Sequence, residues 1–108
     1  MKASLLGCFA AALLAAAPAS AETFTGLVAY SSCAVQGKIT PEEHAKCAQG
    51  TSRDDEVLVF AVDKKTVYEI FEEDRAEEFI GKYVEIHGVL DEGFIEIEAI
   101  EPAESPKK

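Results

Sequence analysis

The chain has no tryptophan, one methionine and three cysteines in 108 residues, and its ten basic residues face twenty acidic ones. So little positive charge excludes a phosphate-backbone ligand, which demands a basic footprint, and nucleic acid is not an expected partner. No C-x-x-C pair occurs, so the zinc knuckle and the thioredoxin-type redox motif are both missing. There is no glycine-rich phosphate loop, no nucleophile elbow and no EF-hand spacing among the acidic residues. No apolar run reaches the ~20 residues of a membrane-spanning helix. With no catalytic set to assemble, the expectation is a protein that is not an enzyme and carries no cofactor.

What is present begins with an export signal. Lys2 gives a short basic start, Leu5 to Ala17 an apolar stretch, and Ala19-Ser20-Ala21 a small-residue cleavage site before Glu22. Residues 1–21 therefore read as a cleaved signal peptide, which places the mature protein in the periplasm or outside the cell with no membrane span. Leu5-Leu6-Gly7-Cys8 resembles a lipoprotein box. Most of the apolar run follows it rather than preceding it, which argues against anchoring through Cys8. Cleavage leaves Glu22 to Lys108, 87 residues, enough for one domain and one core. All twenty acidic residues lie in this part, while Lys2 leaves with the leader, so the formal charge becomes −11. Such a field keeps a protein soluble and also attracts cations and basic partners.

Periodicity in the mature part predicts short strands. Phe24 to Ser32 reads as the first, with Gly26 a bend or bulge. A helical insert follows, with Thr40 as N-cap, Pro41 in the first turn and Glu43 completing a capping box, running to about Ala48. Glu56 to Val62 and Thr66 to Phe71 form a hairpin through Asp63-Lys64-Lys65, the first of them apolar on both faces and hence central. Asp74 and Glu77 mark the start of a second short helix, DRAEEFI, ended by Gly81, with Phe79 and Ile80 as its core contacts.

Lys82 to Leu90 and Phe94 to Ile100 make the last hairpin. A two-residue turn at Glu92-Gly93 pairs Leu90 with Ile95, Gly88 with Ile97 and Ile86 with Ala99. A one-residue slip would turn Glu96 and Glu98 inward. Residues 102–108 read as a disordered tail, and 22–101 as the domain. The order of strand, helical insert, strand, strand, helix, strand, strand predicts a mainly β protein, a five-stranded OB-like Greek-key barrel.

A strand ending at Cys33, the element His44-Ala45-Lys46-Cys47, then VYEIF and GKYVEIHGVL together resemble small exported bacterial OB-fold-like domains of unassigned function. The resemblance covers nearly the whole mature chain and implies a fold and a compartment, without a reaction. Similar domains often carry a further cysteine just beyond the second. Here Ala48, Gln49, Gly50 and Thr51 stand in those places, which removes any chemistry needing a third thiol.

Two readings remain for Cys33 and Cys47. In an oxidising compartment an even pair forms a disulfide, closing a loop of about 15 residues that contributes roughly 3 kcal/mol by the chain-entropy model. Alternatively, Cys33, His44 and Cys47 form a periplasmic metal site, since two thiolates and an imidazole suit zinc or cuprous copper. The two exclude each other. Activation of Cys47 by His44 for catalysis is disfavoured, because Cys47 falls near the wrong end of its helix to lower its pKa.

His87 faces outward opposite Glu98 in the register above, as a cross-strand pair or a plain surface histidine. Tyr30, Tyr68 and Tyr83 are candidates to line a binding face, against the simpler alternative of packing. The functional expectation is an exported binding module for a small ligand or protein partner.

Overall fold

The computed structural model describes residues 21–104. The expected leader, apart from Ala21, and residues 105–108 of the expected tail lie outside that range. Five strands form a closed barrel: β1 (Glu22–Tyr30), β2 (Leu58–Asp63), β3 (Thr66–Ile70), β4 (Tyr83–Asp91) and β5 (Phe94–Pro102). Their order around the barrel is β1-β2-β3-β5-β4, with β4 returning to β1. All neighbours are antiparallel except β3 and β5, which run parallel. The mainly β, OB-like barrel expected from the element order is therefore the fold observed. Closure removes the exposed strand edges that a small open sheet would present.

β1 serves two partners, pairing with β4 from Glu22 to Leu27 and with β2 from Leu27 to Tyr30. Just before the changeover at Leu27 sits Gly26. A Cβ there would stand 2.5 Å from the Ala61 carbonyl oxygen, so the crossing of β1 over β2 requires glycine.

The main core fills the barrel with Val28, Leu58, Phe60, Ile70, Val84, Ile86, Ile95 and Ile97, all buried. A second, smaller cluster of Leu27, Ala29, Ala34 and Val59 lies on the outer face of β1 and β2. This explains why both strands are apolar on both faces: the outer face is roofed by the connection from β1 to β2, with Ile39 packed against it.

That connection holds the helical turn α1 (Ser31–Ala34), the helix α2 (Pro41–Ala48) and a 3-10 turn at Arg53–Asp55. The first strand ends two residues earlier than its composition suggests, and Cys33 sits in α1 rather than at a strand end. The cap of α2 is as read: the Thr40 hydroxyl accepts from the Glu43 N–H at 3.1 Å, with Pro41 following.

Between β3 and β4 lies α3 (Glu73–Ala76), continued by a 3-10 turn over Glu77–Phe79. Its N-cap is Glu72, not Asp74, and the Glu72 side chain makes no capping bond. That carboxylate accepts instead from the Ile97 N–H at 3.0 Å. Ala76 is fully buried, and Phe79 and Ile80 pack on the core as expected.

The β4–β5 hairpin turns at Glu92 and Gly93, both with positive φ (53° and 88°), the type I′ geometry that matches strand twist. Leu90 faces Ile95 and Gly88 faces Ile97, in the expected register. Beyond that point the expected register fails. A bulge shifts the ladder so that Ile86 pairs with Ile100 and His87 with Ala99. Ile100 takes the half-buried position expected of Ala99, which is exposed. The shift falls at Gly88, where a Cβ would stand 2.1 Å from the Glu96 carbonyl oxygen, and α3 meets the shifted stretch. The Arg75 guanidinium donates to the carbonyls of Ile97 and Glu98, and Glu72 takes the Ile97 N–H. Regular pairing of β3 with β5 stops at Ile95, so these side chains satisfy strand groups that the ladder leaves open. The last strand also reaches Pro102, and the Ala103 N–H donates to the Tyr83 carbonyl at 2.9 Å, past the expected domain end at residue 101.

Candidate functional site: the insert and the groove beside it

Cys33 of α1 and Cys47 of α2 form a disulfide, fixing the insert to the end of β1. Both cysteines lie against the main core, with Cys33 fully buried. His44, one turn before Cys47, is 1% exposed. Its Nε2 accepts from the Tyr30 backbone N–H at 3.0 Å, and its ring lies 5.3 Å from that of Tyr30. Tyr30 is the last residue of β1, so this bond takes up a donor that the ladder leaves free as the strand ends. Burial pushes the imidazole below its ordinary pKa, and Glu56 nearby pulls weakly the other way.

The alternative metal set is thereby corrected. With both sulfurs bonded, neither is a thiolate, and the accepting nitrogen of His44 is already engaged. His44 is a neutral core residue that ties α2 to β1.

The other candidate side chains do not converge. Tyr30 belongs to the main core, and Tyr68 packs against it with its ring centre 6.4 Å from that of Phe24, edge to face. Tyr83 lies on the second cluster, where burial raises its phenol above the ordinary value. Glu98 is exposed within the bulge. His87, in place of facing Glu98, has its Nε2 3.7 Å from Glu101 of β5. The expected His87–Glu98 pair fails with the register: the bulge sets the strand one residue out of step, so that His87 faces Ala99.

What the sequence did not single out is a groove of about 790 Å³ beside the insert. One wall is Ala34 to Gly37 at the end of α1; the floor is Val59, Val67 and Glu69 on β2 and β3; Gly93 of the β4–β5 turn closes one end. Val35 is 82% exposed here, and Val67 is partly exposed. Lys64, at the tip of the β2–β3 hairpin, lies along the groove toward Gly37. The surface is therefore apolar at its centre, with one cation, one carboxylate and the Gln36 amide around it. Exposed valine in a loop was the available signal, but its neighbours come from four separate segments of chain.

No protein-family model, curated protein or solved structure matches this chain.

Proposed function

We propose that this protein is an exported, non-enzymatic binding module that takes its ligand in the groove between the insert and the β2–β3 hairpin. The observation that carries the reading is the composition of the groove. Its walls are the first interstrand connection, strands two and three and the last hairpin turn, the places where OB-folds hold their ligands. Fold alone assigns no function, so the chemistry of the lining narrows the class. An open apolar centre formed by Val35, Val67 and Val59 suits a ligand with an apolar body. Lys64 and Glu69 offer one partner of each sign, and the acidic protein around them disfavours a polyanion.

Export supports the same reading. The leader-like first 21 residues and a disulfide in so short a domain both fit an oxidising compartment, where a stapled barrel persists. The disulfide also holds α1 in place and hence fixes the groove wall, so that less order need be imposed on binding.

Nile red, an uncharged apolar dye, tests the site without knowledge of the natural ligand. The purified protein should enhance its fluorescence, and the double variant Val35→Asp with Val67→Asp should lose most of that enhancement. Both positions are exposed, so the fold should survive the change. Equal enhancement by both proteins would sink the proposal.

A further inference from the structure

The bulge in β5 has a chemical result further along the same strand pair. By moving the ladder one residue, it sets Glu101 directly across from Glu85 of β4. Two carboxylates opposite one another on a sheet surface repel. Among the described residues, no Lys or Arg comes within 4.0 Å of either of them. Beside them, two residues along β4 on the same face, stands His87. One ligand atom from each of Glu85, His87 and Glu101 lies within 4.8 Å of the others.

We propose that Glu85, His87 and Glu101 form a three-ligand site for a divalent transition-metal ion of the zinc class, on the outer face of the β1–β4–β5 sheet. An imidazole with two carboxylates is a donor set zinc accepts, whereas calcium and magnesium prefer oxygen alone. The separation is close to what coordination needs. Tetrahedral ligands on zinc stand about 3.4 Å apart for bonds of ~2.1 Å, and His87 Nε2 is already 3.7 Å from a Glu101 oxygen. The cation would also neutralise the repulsion that the strand register creates.

The imidazole is aimed by a residue outside the ligand set. Thr23 of β1 pairs with His87, and its Oγ1 lies 3.0 Å from His87 Nδ1. In the tautomer that donates Nδ1–H to this hydroxyl, Nε2 keeps its lone pair and faces the carboxylates. A partner on the second ring nitrogen is the usual support of a ligating histidine. All four residues sit on paired strands, which hold their spacing better than loops. The side chains are part-exposed, so the remaining coordination positions are open to water or to a ligand from another molecule. His87 is also the accessible imidazole of the two in the chain, His44 being buried. The site lies away from the groove and does not depend on it.

Zinc chloride titrated into the ¹⁵N-labelled, disulfide-intact protein is the test, read from backbone amide shifts. Shifts should concentrate at Thr23, Glu85, His87 and Glu101, and calcium at the same concentrations should not reproduce them. His87→Ala and Glu101→Gln should each weaken zinc binding about tenfold or more, and Thr23→Val by less, as the loss of an orienting contact. The spectrum itself reports whether each variant is folded, and His87→Gln replaces any His87→Ala protein that is not. Absence of zinc shifts up to millimolar concentration would overturn the site. So would shifts that calcium matches, or a response that His87→Ala leaves intact, since either marks a general acidic surface.

Discussion

The barrel carries two helical connections, and they are held by opposite means. The β1–β2 insert is fastened from within by the Cys33–Cys47 disulfide, the buried His44 and the small cluster around Ala34 and Ile39. The β3–β4 connection, besides the packing of Ala76, Phe79 and Ile80 on the core, is fastened by charged side chains. Arg75 and Glu72 bind the β5 backbone, and Arg53 reaches from the end of the insert to Glu73 and Glu77, each at 3.1 Å. These arginine and glutamate side chains are part-exposed, so their ion pairs contribute little each and weaken with salt. The disulfide, by contrast, acts on the unfolded chain and ignores salt. One connection therefore answers to redox conditions and acid, the other to ionic strength. The groove takes its wall from the first, and the second meets the bulge that sets the β4–β5 carboxylate pair.

Breaking the covalent half should cost most. Replacing both cysteines with serine, Cys33→Ser with Cys47→Ser, should lower unfolding free energy by about 3 kcal/mol in urea titrations. Amide exchange should accelerate across 31–48 while β4 and β5 keep their order of protection. Uniform acceleration over the barrel would show that the insert is not a separate unit of stability.

Second in size is Arg75→Ala. It leaves the carbonyls of Ile97 and Glu98 without their charged donor and should cost about 1.5–3 kcal/mol, the range for hydrogen bonds to a charged group. The same change should loosen the bulge. In amide spectra the largest shifts should fall at Ile97 to Ala99, with the His87 and Glu101 signals moving as their register relaxes. A loss below about 0.5 kcal/mol would mean that water replaces the guanidinium, and that the bulge is intrinsic to β5.

The two connections also differ in how much of them could be read from sequence. The insert announced itself locally: Thr40-Pro41-Glu42-Glu43 specifies the cap of α2, and an even cysteine pair behind a leader-like segment favoured the bridge over the metal site. The hairpin turn at Glu92-Gly93 and the first half of its register were equally local. The bulge was less so: its register shift falls at Gly88, where a Cβ would stand 2.1 Å from the Glu96 carbonyl oxygen, while the Arg75 contacts that meet it come from more than twenty residues away and form only when the barrel closes. The local signals were Gly88 inside β4 and Ile100, an apolar residue that strict alternation would have turned outward. His44 misled for a similar reason. Its spacing from Cys47 reads as a ligand face, yet the imidazole is taken by Tyr30, whose free N–H exists only because β1 ends there. The groove drew on four segments, none distinctive alone.

Smallest and most selective is the response of the insert to acid. Burial holds the folded-state pKa of His44 below the 6.5 of a free imidazole. Below pH ~6.5 the unfolded chain takes up a proton that the folded protein refuses, so unfolding gains ground as protons become available. His44 thus adds stability that is complete above that pH and is lost as pH falls from there through the lowered folded value. Protonation in place would also remove the acceptor from the Tyr30 N–H and set a charge inside the core. His44→Gln keeps an acceptor near the Nε2 position but does not titrate. The difference in stability between wild type and His44→Gln should therefore shrink as pH drops below 6.5, whatever the carboxylates do in both. A difference that is flat from pH 7.5 to 4.5 would show that the imidazole titrates normally. It would place the acid sensitivity of the molecule with the ion pairs of the β3–β4 connection instead.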